Sequence, residues 1–315
     1  MRFKRGELFM LLLIGSIFLV ICALAVVKGQ EVNLPGYTAA FFFNGLFLAI
    51  GQFYRIVRKD EKIATLVTVL GLLLVSGNLL EILTYQMLPY AFPSRDAFFA
   101  SVDGFFGFVW SDYVIWLSGY PLFSAMLKYV YLSCGWQIAA ILAVLAFTGK
   151  SRESVKFMLG LAIGGMVTII VWAFFPSSTP AAFQDLPEHV KVSLGLVVSP
   201  EQGQWLVDVS KTGLHRLSPE MFVGVVGFPS YHTVLAACCA WHARKAGYLA
   251  YPIYILSVLM FPAILLHGSH NIIDVIGGLL VTVASVFMAH RIAEAGTLPV
   301  LGVVNTARFA VTKTA

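Results

Sequence analysis

The chain has 315 residues, of which 59% are hydrophobic and 12% charged, with a mean hydropathy of +0.84. Soluble domains carry about 25% charged residues, so this composition excludes a soluble globular protein and points to an all-α, polytopic transmembrane bundle. The net charge of +5 reflects topology, as the loops show, and gives no reason to expect a nucleic-acid partner.

Hydrocarbon about 30 Å thick calls for about 20 apolar residues per spanning helix. Eight stretches qualify, at 8–27, 36–54, 63–84, 126–148, 158–175, 230–242, 248–266 and 274–290, with the sixth the shortest. Arg2, Lys4 and Arg5 precede the first, and Ala23-Leu24-Ala25 within it resembles a leader cleavage site. Its apolar run is longer than the 7–15 residues of most leader peptides, which reads as an uncleaved anchor. Positive charge near span ends stays cytoplasmic. The basic groups at 2–5, 55–62, 150–156, 244–245 and 291–313 all fall on one side, opposite Lys28, Arg95, Lys128, Lys191, Lys211 and Arg216. Both termini are therefore expected in the cytoplasm, with a bacterial inner membrane as the setting.

Two long segments face outward in this scheme. The first, 85–125, is rich in aromatics and carries Arg95, Asp96, Asp103 and Asp112, which suits interfacial helices packing the outer rim or gating lipid entry. The second, 176–229, contains Pro176, Pro180, Pro187, Pro200 and Pro219 and reads as a cap. Three regions follow: N-terminal spans with the aromatic segment (1–125), a catalytic membrane core (126–295) and a cytoplasmic tail (296–315). Cys22, Cys134, Cys238 and Cys239 lie in or beside spans as small apolar packers, without a metal-binding spacing.

Polar chemistry concentrates in two segments, Gly227-Phe228-Pro229-Ser230-Tyr231-His232 and His267-Gly268-Ser269-His270-Asn271-Ile272-Ile273-Asp274. Ionisable residues at membrane depth are costly unless they serve a function. His270 and Asp274, four apart at a helix start, share one face. The carboxylate can take the Nδ1 proton and leave Nε2 as a nucleophile or base. Pro229 and Ser230 read as a helix start with Pro in the first turn, whose free N–H groups and dipole favour an anion. Ser230 would add a hydroxyl donor, and His232 would stand ready to protonate a leaving oxygen. Spans six and seven form a hairpin that returns both motifs to one face. His189, His215, His242 and His290 read as structural. Glu81, late in the third span, has no place in this scheme beyond a structural ion pair, with Lys128 as the candidate partner.

These residues resemble the type-2 phosphatidic acid phosphatase superfamily, whose motifs run Lys-x6-Arg-Pro, Pro-Ser-x-His and Ser-Arg-x5-His-x3-Asp. Pro229-Ser230-Tyr231-His232 matches the second, and His270 through Asp274, followed by Val275 and Gly277-Gly278, matches the second half of the third. The resemblance covers residues 158–290. It implies that His270 is the nucleophile of a phosphohistidine mechanism, oriented by Asp274, with His232 as general acid and no cofactor. The first motif's Lys and Arg are absent, and Ala263-Ile264 stand where the third would have Ser-Arg. Phe175-Pro176-Ser177-Ser178-Thr179-Pro180 is similar to a segment of the sub-branch that includes inositol phosphorylceramide synthases.

A phosphate site would then draw on Ser230, Tyr231, Ser177 and Thr179 hydroxyls and on His267. Arg216, or Lys191 or Lys211, would replace the missing cations. The expected partner is a lipid phosphate or isoprenoid pyrophosphate, with water or a lipid or polyol alcohol as acceptor. Transfer of a phosphodiester headgroup is the alternative, and less fixed positive charge would suit it. Two other classes stay open beside a non-catalytic relative: a metal-dependent hydrolase using His232, His267, His270 and Asp274, and a proton-relaying transporter.

Overall fold

A computed structural model describes residues 3–219 and 224–294, so the expected tail at 296–315 lies outside the described residues. Among the described residues six helices are long and apolar enough to cross a membrane, and the chain is an integral membrane protein. They are α1 (Arg5–Lys28), α2 (Leu34–Phe53, continued by a π turn to Arg58), α3 (Glu61–Gln86), α8 (Ser151–Phe174), α12 (Ala250–His267) and α13 (Ile272–Glu294). The fourth predicted stretch is a broken pair, α6 (Pro121–Leu132) and α7 (Cys134–Phe147), bent by 52°. The sixth is α11 (Tyr231–Ala243), 13 residues long. At about 1.5 Å per residue it extends about 20 Å, and its cap Ser230 is fully buried. That helix therefore starts below the end of the bundle, which recesses the motif it carries.

Local chemistry sets the helix boundaries. Asp60 accepts from the Lys62 and Ile63 amides at 3.0 and 3.1 Å to start α3, and Gly29, at φ 60°, ends α1. Helix α8 is central, with 61% of its apolar window buried, whereas α1 and α2 at 17% each present most of their surface outward. Around α8 pack α3, α11 and α13 through Leu72, Met158, Leu161, Val234 and Val281.

The chain segregates its charge by end. At the end where α1, α3 and α8 begin and α2 and α13 finish, Arg55 meets Glu7 at 2.7 Å, both buried, and Lys4 meets Glu61 at 2.6 Å. Lys156 joins Glu294 there at 2.7 Å. The motif-bearing helix starts lie at the other end, beneath two structured segments. The aromatic segment forms α4 (Asp96–Phe105) and α5 (Trp110–Ser118), and the proline-rich one forms α9 (Glu188–Leu194) and α10 (Pro200–Thr212). A two-residue parallel pair, β1 (Glu31–Val32) with β2 (Arg216–Leu217), ties the second segment to the α1–α2 connection.

Candidate active site

Helix α13 begins two residues after His270, and its first turn brings Asp274 beneath the imidazole. The His270 Nδ1 to Asp274 Oδ2 distance is 3.2 Å, and the same oxygen accepts the Asn271 amide at 2.9 Å. An ionised carboxylate can only accept, so with Asp274 ionised Nδ1 would carry the proton and a neutral imidazole would keep its lone pair on Nε2. Asp274 and His270 are 1% and 4% exposed, so the pair is shielded from bulk water. A buried acid can thus orient this imidazole as the sequence reading requires.

The second motif is fastened to the first through the backbone, with the Ser230 amide donating to the Asp274 carbonyl at 2.9 Å. Gly277 and Gly278 permit the approach. A Cβ at Gly277 would lie 2.6 Å from the Phe228 ring, and one at Gly278 would lie 2.5 Å from the Ser230 carbonyl oxygen. Ser230 is the N-cap of α11, accepting the Thr233 amide at 3.4 Å. Pro229 stands outside the helix, before the cap, whereas the sequence reading put it in the first turn.

One turn into the site, His232 stacks on Tyr131 of α6, ring centroids 4.3 Å apart, and its Nδ1 lies 3.3 Å from the Tyr131 hydroxyl. When His232 is protonated, the phenol oxygen can accept from Nδ1–H, which leaves Nε2–H to face a leaving oxygen. Tyr131 escaped sequence reasoning because it lies in an apolar stretch about 100 residues away, with no motif to mark it.

His232, His270 and Tyr231 line one cavity of about 260 Å³, with Glu81 and Thr84 of α3, Thr168 of α8 and apolar side chains including Leu80 and Val226. Among the described residues, no Lys or Arg belongs to this lining. Arg216 lies exposed on β2, in register with Glu31, Lys191 pairs with Glu188 at 3.4 Å, and Lys211 is exposed on α10. None of the three reaches the cavity wall. The suggested Glu81–Lys128 pair is also not formed, since the Lys128 ammonium bonds the Gly195 carbonyl at 2.8 Å while Glu81 faces the histidines.

The remaining expected site residues lie behind the cavity. Ser177 Oγ accepts the Phe228 amide at 2.7 Å, and its carbonyl accepts the Trp172 indole N–H at 2.9 Å. Thr179 is buried, and its hydroxyl has no bonding partner among the described residues. His267 turns away, donating Nε2–H to the Ser124 carbonyl at 3.0 Å. Among the described residues no three His, Cys, Asp or Glu side chains gather in a group that could hold a metal ion. The 175–182 segment nevertheless joins both motifs, because the Ala181 amide donates to Ser269 Oγ at 2.9 Å. Ser269 adopts a positive φ of 49°, a conformation costly for a residue other than Gly, Asn or Asp, and this bond helps hold it there.

The aromatic segment proves to be part of the site. Asp103 accepts the Ile272 and Ile273 amides at 2.5 and 3.0 Å, capping α13 from another helix. Burial raises the Asp103 pKa, and the two amide bonds oppose that rise. Phe99 stacks on Phe228 at 4.4 Å, Asp96 accepts the Ser178 amide at 2.7 Å, and the Trp110 indole donates to the Leu265 carbonyl at 2.8 Å. Other aromatics of the segment, Phe98, Phe105, Phe106 and Trp116, point outward and are exposed, as an interfacial rim would be.

No curated protein and no solved structure matches the chain. A family model described as the PAP2 superfamily matches residues 97–288. The match covers more than half of the chain, starts at α4 and ends within α13, and so contains both histidine motifs and the capping Asp103. The chain belongs to the PAP2 superfamily.

Proposed function

We propose that the protein is an integral-membrane lipid phosphatase or phosphotransferase that works through a phosphohistidine. Membership in the superfamily supports phosphatase-type chemistry in general. The observation that carries the finer reading is that His270, paired with the buried Asp274, lines the same cavity as His232. In this mechanism His270 Nε2 attacks phosphorus, the phosphorus–oxygen bond to the leaving group breaks, and protonated His232 gives its Nε2 proton to that oxygen. Asp274 stabilises the positive charge that develops on His270. Water or an alcohol then yields its proton to His232 and attacks phosphorus, the phosphorus–nitrogen bond breaks, and His270 is restored. Hydrolysis and transfer share every step but the identity of this second nucleophile. The basic residues gather at the opposite end of the bundle, which by the positive-inside rule favours a site on the outer, periplasmic-type face with cytoplasmic termini.

A second reading rests on the lining. Among the described residues the cavity lining holds no Lys or Arg, and so offers no fixed cation to a dianionic phosphomonoester, whose transition state such clamps stabilise by several kcal/mol. That favours a phosphodiester donor and headgroup transfer. The test is to incubate wild type and His270→Ala in nanodiscs with lipid phosphates, isoprenoid pyrophosphate and phosphodiesters, with and without alcohol acceptors. Phosphate released only by wild type identifies a phosphatase, and a new lipid phosphodiester identifies a transferase. Product formation by His270→Ala equal to wild type would reject the phosphohistidine.

A further inference from the structure

The cavity wall opposite the histidines holds a carboxyl that the phosphohistidine scheme does not use. Gly77, Leu80, Glu81, Thr84 and Tyr85 recur at intervals of three and four, so they form one face of α3, and that face is turned to His232 and His270. Among the described residues, Glu81 is the one carboxyl in this lining. Among the described residues, no hydrogen bond or ion pair to protein reaches it. Space is left for a ligand: a Cβ on Gly77, one turn before Glu81, would touch nothing within 4 Å. Across the cavity the Thr168 hydroxyl is buried without a partner.

A carboxylate in a largely apolar wall is expensive unless a counter-charge reaches it, and among the described residues the lining holds no Lys or Arg to provide a permanent one. The same charge would repel a dianionic phosphate held at His270, since like charges interact strongly across a water-poor cavity. Both difficulties vanish if the entering molecule carries a cation next to its phosphate.

We propose that Glu81 determines headgroup specificity by receiving the ammonium of a zwitterionic, aminoalkyl phosphodiester lipid while His270 and His232 engage its phosphate. This inference rests on the proposed phosphohistidine chemistry for its catalytic consequence, but the binding preference stands independently of turnover. Glu81 acts as a binding residue in this arrangement and takes part in no bond making or breaking.

The experiment uses full-length protein in detergent with dioctanoyl phosphatidylethanolamine, dioctanoyl phosphatidylinositol and dioctanoyl phosphatidic acid. Wild type, Glu81→Gln and Glu81→Asp are compared. For wild type the ethanolamine lipid is expected to bind and turn over best. Glu81→Gln, which keeps the shape and removes the charge, should raise KM for that lipid by about thirtyfold, in line with truncating one partner of a buried charge pair. The same variant should leave kcat within about threefold and improve phosphatidic acid binding, and Glu81→Asp should recover part of the preference. A purely structural Glu81 would depress all three lipids together, and that result overturns the proposal. So does a wild-type preference for the inositol lipid. If wild type turns over no lipid in a His270-dependent manner, the proposed reaction fails instead. Equilibrium binding of the same lipids then decides about Glu81: an ethanolamine preference lost in Glu81→Gln supports the ammonium site, and equal binding by the two proteins overturns it.

Discussion

Asp103 offers the sharpest test of how the site is held together. Its carboxylate accepts the Ile272 and Ile273 amides at 2.5 and 3.0 Å, at the start of the helix that carries Asp274 and two residues beyond His270. Hydrogen bonds to a charged group contribute about 1.5–3 kcal/mol each, and buried donors left unpaired lose their desolvation cost outright. Asp103→Ala should therefore destabilise the protein by about 3 kcal/mol or somewhat more. Asp103→Asn, whose single carbonyl oxygen can keep one bond, should lose about half as much. Turnover should suffer beyond stability, because a displacement of about 1 Å in a catalytic group can cost about a hundredfold. In detergent the alanine variant is expected to unfold at lower temperature and to show kcat reduced by about ten- to a hundredfold, with KM little changed. A pH series adds a sign that geometry alone does not. The folded-state pKa is raised, so the folded protein holds this proton more firmly than the unfolded chain does. Wild-type stability relative to Asp103→Asn should then fall as pH rises from the ordinary aspartate value to the raised one. Wild-type turnover and unfolding temperature in Asp103→Ala would refute the idea that α4 fixes the catalytic helix.

Two further outcomes are expected. Tyr131→Phe removes the hydroxyl 3.3 Å from His232 Nδ1 while keeping the stacked ring. Leaving-group protonation should slow by about tenfold, within the range for a general acid deprived of part of its orientation, and the pH–rate profile should change shape; an unaltered profile would remove Tyr131 from the mechanism. At the opposite end, Arg55→Leu strands the fully buried Glu7. Breaking a buried pair costs about 3–5 kcal/mol, so the variant should be clearly less stable, with KM for any accepted lipid unchanged in the protein that remains folded.

What could be read from the chain was whatever rests on local spacing. Membrane character and the apolar stretches follow from composition, and the His270–Asp274 pairing follows from a four-residue interval that the start of α13 keeps as a contact. Tyr131, Asp103 and Glu81 were not legible as site residues because each reaches the motifs from a distant helix. Asp103 was seen only as one charge in an aromatic rim, and Glu81 only as an orphan in a span. The placement of Arg216 failed for a related reason. A cap loop's position was inferred from its sequence neighbour, while the β1–β2 pairing holds that residue beside Glu31.

The assembly of the site from main-chain bonds explains why so few side chains announce it. Ser230 to Asp274, Phe228 to Ser177, Ala181 to Ser269, and Ile272 and Ile273 to Asp103 join segments that are far apart in the chain. Every bond in this set uses at least one backbone amide. In a water-poor bundle an unmet amide costs several kcal/mol, so each irregular segment near a helix end must find a partner, and these partners fix the geometry between the motifs. Side-chain identity is then constrained mainly at acceptors such as Asp103, Ser177 and Ser269, and at the glycines that allow close approach. It follows that the phosphate-binding cations of the wider family can be lost without dismantling the frame that holds the two histidines. A cavity wall without those cations has room for Glu81 on α3, the residue on which the proposed headgroup preference rests.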